Sequence, residues 1–203
     1  MGKFYCCNCI LNCVCACILQ ILCVILVLLG IVGLLIWAIW RPNKIYFHVS
    51  DASVNKFDFS KSTNTLDYDL NLTFDIRNSN KKIGVYYDII EARTSFHQTK
   101  FSTMNIESFY QHSENTTILH PVIKGQNEVP FGDGDKSNYE EDKKSGVFNI
   151  NTMFHMHIRL ASGWITTGKI KFVVGCGLRV PMKSLSEYTF QRTHCLVLPW
   201  ARS

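Results

Sequence analysis

The sequence predicts an all-β domain, an antiparallel β-sandwich with one short helix, preceded by a single N-terminal transmembrane helix. Three observations carry the prediction. An uncharged apolar run of twenty residues, Ile21–Trp40, stands near the amino terminus. Strict two-residue alternation of apolar and polar side chains recurs after it, most clearly over Leu66–Arg77. Helical periodicity is almost missing from that remainder, and turn-forming pieces such as Ser60–Asn64 and Arg77–Lys82 separate the alternating runs.

The chain divides into a short Cys-rich tail at 1–17, an anchor helix at 18–40 and a domain at 41–203. In the tail, Cys6, Cys7 and Cys9 lead a cluster that continues with Cys13, Cys15 and Cys17. Thiols crowded beside a membrane span are candidate S-acylation sites. Plain apolar filling is the alternative. A thiolate metal site lacks the usual C-x₂₋₄-C spacing and a following His. Gly2 is followed at position 6 by Cys rather than Ser or Thr, against the myristoylation pattern.

Fourteen of the twenty residues in Ile21–Trp40 are Leu, Ile or Val. As a helix the run is about 30 Å long, the thickness of a bilayer's hydrocarbon core. A buried helix of a soluble protein would need a polar face or flank that is not there. Trp37 and Trp40 fall where an interfacial aromatic belt belongs, and Arg41-Pro42 ends the helix. No small-x-small cleavage site follows, so the segment is expected to stay as a signal-anchor. Gly30 and Gly33 are three apart, which is not the tight-dimer spacing.

Beyond the anchor lie 20 basic and 16 acidic residues, because Lys3 is the only charge before Arg41. This mild excess suits an anionic surface, lipid head groups or wall polysaccharide, and is no nucleic-acid footprint. Leu66, Tyr68, Leu70, Leu72, Phe74 and Ile76 form one face of a strand, with Asp67, Asp69, Asn71, Thr73, Asp75 and Arg77 on the wet face. The same phase recurs through Phe148–Leu160 and Ile170–Val174. Further strand-like runs are Lys44–Val49, Ser53–Phe59, Gly84–Phe96, Phe101–Ile106, Thr116–Ile123 and Leu185–Leu198. So many half-buried strands indicate a sandwich of the immunoglobulin or fibronectin-III kind. The one credible helix starts at the capping box Ser137-Asn138-Tyr139-Glu140 and stops at Gly146. Before it, Gly132-Asp133-Gly134-Asp135 opens like a calcium loop, but Asn138 and Lys144 stand where Gly and Glu are required, so a solvated loop is expected.

No catalytic, cofactor or metal constellation emerges. His155-x-His157 puts two imidazoles on one strand face, but a third ligand is missing and Arg159 adjoins the pair. Nucleophile elbows, phosphate-cradling loops and kinase signatures are absent. Topology rests on cysteine usage and on sequons. Seven of the nine cysteines lie in the first 23 residues, which suits a reducing side, while Cys176 and Cys195 alone follow the anchor. A bond between those two would close a loop of about twenty residues and stabilise by about 3 kcal/mol. Two buried free thiols are the alternative. Asn71-Leu72-Thr73 and Asn115-Thr116-Thr117 are glycosylation acceptors, with Asn71 on a wet strand face. The positive-inside rule decides nothing, since Lys3 lies on one side and Arg41 and Lys44 on the other.

Arg77-Asn78-Ser79-Asn80-Lys81-Lys82-Ile83-Gly84-Val85-Tyr86-Tyr87-Asp88 resembles the Asn-Pro-Asn-Lys…Tyr-Tyr-Asp motif of a plant family, and Phe109–Thr117 resembles its Tyr-Gln-Gly…Asn-Thr-Thr segment. That family comprises the harpin-induced and non-race-specific disease-resistance-like proteins, with a late-embryogenesis-abundant group 2 domain. The Arg41-Pro42 exit, the start at Ile45–Val49 followed by Asp51-Ala52-Ser53, and the Cys176/Cys195 pair fit it too. Ser79 replaces the motif's proline and His112 its glycine, changes that alter loop rigidity. The resemblance makes Asn78, Asn80, Lys81, Lys82, Tyr110 and Gln111 candidate contact-loop residues. It implies a non-enzymatic plasma-membrane protein with a cytosolic amino terminus, an extracellular domain and a role in pathogen defence, including hypersensitive responses. Expected partners are membrane lipids and a membrane or cell-wall protein or polysaccharide. A lipid-binding or lipid-transfer module using a groove in the sandwich is the alternative.

Overall fold

The computed structural model describes residues 4–40, 43–184 and 187–198, with helix side chains described at 16, 18–35 and 37. Arg41-Pro42, the expected helix stop, and Leu185, the expected start of the last strand run, lie outside the described residues, as do the side chains of Cys6, Cys7 and Cys9. The chain forms two compact units, Met1–Pro42 and Asn43–Ser203.

The first unit is one helix, α1, Phe4–Trp40. It runs through the Cys-rich head without a break, so the head is not set off from the anchor by secondary structure. Residues 4 to 29 contain neither Gly nor Pro, and adding a residue to an existing helix is far cheaper than nucleating one. Its most apolar stretch, Ile18–Leu35, has a mean hydropathy of 3.1 and buries none of its side chains.

The second unit is an antiparallel two-sheet sandwich. Its strands are β1 Ile45–Ser60, β2 Thr65–Asn78, β3 Gly84–Phe96, β4 Thr99–Ile106, β5 Phe109–Gln111, β6 Thr116–Leu119 and β7 Val122–Glu128. Helix α2, Asp133–Ser145, precedes β8 Val147–Ser162, β9 Ile165–Thr166, β10 Ile170–Pro181, β11 Thr193–His194 and β12 Leu196–Leu198. One sheet has the order β11-β1-β2, with β6 and β7 sharing the far side of β2. The other has the order β12-β10-β8-β3, with β4 and β5 sharing β3 and β9 folded back on β8.

The alternation in β2 holds: Leu66, Tyr68, Leu70, Leu72, Phe74 and Ile76 are all buried. Asp75, on the opposite face, is also largely covered. Ser50 Oγ donates to it at 3.0 Å and the Arg192 guanidinium approaches to 3.5 Å. The two runs expected at Lys44–Val49 and Ser53–Phe59 are one strand. Its inward residues change phase from Phe47 and Val49 to Ala52 and Val54, then back to Phe57 and Phe59. Each change coincides with a register shift, at Val49/Asp51 and at Val54/Lys56. A bulge adds one residue and so returns the apolar set to the core without ending the strand. The Thr116–Ile123 run is split instead, because Pro121 cannot donate to the ladder.

Rings from both layers fill the space between the sheets. Phe74 of β2 stacks on Phe154 of β8 with centroids 4.1 Å apart, and Phe47 lies 6.1 Å from Phe74. Helix α2 starts four residues before the expected capping box. Gly132 is its N-cap, and Asp133 and Asp135 sit in the first turn, where carboxylates favour the helix dipole. The stretch that resembles a calcium loop is therefore a helix start. Its Asp135 accepts from Thr99 Oγ1 at 2.8 Å. Farther along α2, buried Tyr139 accepts from the Phe59 amide at 3.1 Å and so fastens the helix over one end of the core.

Cys176 and Cys195 are joined, with Cα atoms 4.6 Å apart. The final run is not one strand: β11 pairs with β1 in one sheet and β12 with β10 in the other. Cys195 stands between them, and its amide donates to Phe47 O at 3.0 Å.

Candidate functional site

The two motif segments meet at the end of the sandwich where the chain enters it. Ile45 of β1 pairs with Asn78 at the end of β2, and Gly84 at the start of β3 pairs with Ala161 near the end of β8. The β2–β3 connection, the β5–β6 loop and the entry segment Asn43-Lys44 are thereby brought together.

Asn78 organises them. Its side chain is wholly buried and uses all of its hydrogen-bonding capacity. Nδ2 donates to Ile83 O at 2.8 Å and to His112 O at 3.1 Å. Oδ1 accepts from the Asn80 amide at 3.1 Å and from Asn80 Nδ2 at 2.9 Å. Asn80 in turn donates to Asn43 O at 3.1 Å and accepts from the Asn43 amide. Ser79 Oγ donates to Lys44 O at 2.7 Å. Gln111, also fully buried, donates to Ile76 O at 2.7 Å and to Asn115 O at 3.3 Å, and accepts from Tyr87 Oη at 3.3 Å. Backbone bonds from Asn78 to Asn115 O and from Glu114 to Asn80 O, each 2.9 Å, close the assembly. Burial pushes the Tyr87 phenol up, so it stays a donor at any physiological pH.

These bonds correct the contact-loop expectation for Asn78, Asn80 and Gln111. All three are buried clamps that tie three loops together, because each amide satisfies backbone groups the loops cannot pair among themselves. The sequence carried the signal. Asn78 and Asn80 continue the inward phase of Phe74 and Ile76, and Gln111 lies opposite inward-facing Val85. Lys81, Lys82 and Tyr110 are exposed and remain on the surface. Tyr110 lies over Gly84, where an added Cβ would meet ring carbons at 2.6 and 2.9 Å. It packs on Tyr86 with centroids 4.5 Å apart, and the Arg159 guanidinium covers Tyr86 at 5.0 Å. Arg159 also holds Asp88 with two bonds of 2.8 Å, and this pairing lowers the Asp88 carboxyl below its usual range. The Tyr-Tyr-Asp part of the motif thus builds a cation-capped aromatic surface on the outer face of the second sheet.

Of the two sequon asparagines, Asn115 is exposed on the β5–β6 loop, with Oδ1 accepting from the Thr116 amide at 2.8 Å. Asn71 is half-buried in mid-strand between Ser53 and Val122. His155 and His157 share the outer face of β8. Burial, then Arg93, lowers the His155 imidazole; burial, then Lys171 and Lys169, lowers that of His157. Among the described residues no three His, Cys, Asp or Glu side chains converge as a metal site.

No family model matches the chain. Curated relatives do. The chain is 41% identical over 170 residues to NDR1/HIN1-like protein 10 of Arabidopsis thaliana, covering 83% of this chain and 75% of that protein. It is 41% identical over 181 residues to NDR1/HIN1-like protein 3 of the same plant, covering 88% and 78%. NDR1/HIN1-like protein 2 is 38% identical over 166 residues, covering 80% and 69%. A solved structure of a protein from Archaeoglobus fulgidus covers 66% of this chain and 98% of its own at 7% identity, but its TM-score of 0.30 is too low to carry an argument. With relatives at this identity spanning more than two thirds of their own length, the chain belongs to the NDR1/HIN1-like family.

Proposed function

We propose that the chain is a non-enzymatic, single-pass plasma-membrane protein that acts in plant defence through an extracellular β-sandwich serving as a binding or scaffolding module. The observation that carries this is the joining of two parts: a helix with an apolar stretch whose side chains are unburied, and a domain with a closed disulfide and a ring-filled core. Such a stretch suits a bilayer, and a disulfide persists on the oxidising side of a membrane. The Phe47, Phe74 and Phe154 rings occupy the space that a lipid-transfer groove would need, which favours recognition at the surface over carriage inside. The exposed elements available for recognition are Lys81, Lys82 and the Tyr86/Tyr110/Arg159 surface.

Sealed plasma-membrane vesicles of known sidedness test the topology. Protease added to the extracellular face should digest the domain, and a glycan-removing enzyme should lower the mass of the wild type but not of an Asn71→Gln/Asn115→Gln variant. Digestion of the domain only from the cytosolic face refutes the proposal. Proximity labelling from the domain in living plant cells then reads the partner class: wall or membrane-surface proteins are expected, and exclusive labelling of cytosolic proteins refutes the scaffold.

A further inference from the structure

The β8–β9 hairpin presents an indole to water. Ser162 pairs with Ile165, and Gly163-Trp164 form the tip, with Gly163 at a φ of 60° that favours glycine. Trp164 is 94% exposed, with Ile165 next to it partly exposed. Single exposed apolar residues are ordinary, but an indole held clear of its own domain on a two-residue turn suits a medium that is apolar on one side and polar on the other.

The surroundings supply charge. Gly84 pairs with Ala161, so the hairpin adjoins the β2–β3 connection that carries exposed Lys81 and Lys82. Asn43 bonds to Asn80, so exposed Lys44 is at the same end, and exposed Lys169 follows the hairpin. Among the described residues none of these four lysines forms a salt bridge. Glu114 on the β5–β6 loop is an exposed carboxylate at this end, while Asp88 is held by Arg159. At the α2 end, by contrast, carboxylates accompany the lysines: Lys61 pairs with Glu140 at 2.7 Å and Lys143 with Asp58 at 3.5 Å, while Lys136 and Lys144 share α2 with Asp133, Asp135, Glu141 and Asp142. The basic end is also the one the chain enters at Asn43, three residues after the apolar helix ends at Trp40.

We propose that this end seats on an anionic bilayer surface, with Trp164 in the headgroup layer and Lys44, Lys81, Lys82 and Lys169 against the lipid phosphates; it rests on the reading of the chain as membrane-anchored. Lysines beside an anionic leaflet are attracted within a Debye length, and an indole at headgroup level holds the orientation. The docked face leaves the outer surface of the second sheet and the α2 end turned to solvent.

The test uses the full chain with Trp37→Phe, Trp40→Phe and Trp200→Phe, so that Trp164 is the remaining indole. It is reconstituted in phosphatidylcholine vesicles and in vesicles with about one quarter phosphatidylserine. Emission wavelength, quenching by lipids brominated near the headgroup, and quenching by aqueous acrylamide are read. In the anionic vesicles Trp164 emission should shift to the blue, brominated lipid should quench it, and acrylamide quenching should fall several-fold. Lys81→Ala/Lys82→Ala/Lys169→Ala should return all three readouts to the neutral-vesicle level; these side chains are exposed, so the fold is not at stake. Equal acrylamide quenching in anionic vesicles and in detergent, or equal behaviour in neutral and anionic vesicles, overturns the proposal. Alkaline carbonate washing of the same vesicles separates the failures. A chain stripped off overturns the anchor reading and this proposal together, whereas a carbonate-resistant chain with a water-quenched Trp164 overturns this proposal alone.

Discussion

Replacing Asn78 with alanine removes four hydrogen bonds at once and leaves two carbonyls, Ile83 O and His112 O, and the Asn80 amide without those partners. A buried polar group deprived of its partner costs about 1–3 kcal/mol. Asn80 Nδ2 keeps Asn43 O, and the end of the sandwich is close enough to solvent for water to recover part of the loss. The expected cost is therefore about 3–4 kcal/mol, a large part of the 5–15 kcal/mol typical of a domain. Asn78→Asp makes a sharper test. It keeps the acceptors facing Asn80 but sets a carboxylate against two carbonyl oxygens, so at neutral pH it should cost at least as much as alanine. Its folded-state pKa would be raised above the unfolded value, so stability should return as the pH falls and the group protonates to become a donor. Ser79→Ala, which loses one exposed bond to Lys44 O, should cost less than about 1 kcal/mol. Urea unfolding of the full chain in detergent, followed by fluorescence at several pH values, measures all three. An Asn78→Ala midpoint indistinguishable from wild type at unchanged slope, or an Asn78→Asp penalty that grows on acidification, would refute the clamp.

Three further outcomes are expected. Cys176→Ser/Cys195→Ser opens a loop with a sequence separation of 19 and should lower stability by about 3 kcal/mol, read as a drop in the urea midpoint. Thr94 and Thr152 are buried cross-strand neighbours whose hydroxyls have no hydrogen-bond partner among the described residues, so Thr152→Val should raise stability by about 1 kcal/mol, read as a higher urea midpoint. The domain should weaken on mild acidification. Burial, with Arg192 and His194, lowers the His48 imidazole, so between its folded value and the ordinary 6.5 the unfolded chain binds more protons. That contribution is complete above about 6.5 and is lost as the pH falls through the folded value. Unfolding at pH near 7.5 and near 5.5 should differ less in His48→Gln than in wild type.

The parts of this fold that follow from burial alone were legible in the sequence. Leu66–Ile76 alternates without interruption because one face meets the other sheet along its whole length, and Cys176 and Cys195 had no other partner beyond the anchor. What was not legible depends on backbone adjustment. A bulge at Ser50 or Asn55 changes phase just as a loop does, so one strand read as two. Helix α2 begins earlier than its sequence cap because Asp135 finds Thr99 on a strand distant in sequence. Of the motif residues, Asn78, Asn80 and Gln111 were found but assigned to the wrong side of the surface, since an amide on an inward phase reads as a loop residue until its backbone partners are in view. The Tyr86/Tyr110/Arg159 surface joins residues from β3, β5 and β8, and no local pattern brings them together.

The last described residues close two open flanks with one short segment. Without β11, the hydrogen-bonding groups of β1 at His48 and Val49 would face outward; without β12, so would those of β10 at residues 173–175. Both covering strands are held through Cys195, whose sulfur is bonded to Cys176 of β10 and whose amide donates to Phe47 O of β1. Loss of that bridge in a reducing compartment would therefore do more than loosen the fold. It would unveil the covered part of two strand margins at once, each a template for another chain's backbone, and so favour association through those edges. The chemistry of the compartment in which the domain matures thus governs how much strand edge it offers to other chains as well as whether it stays folded.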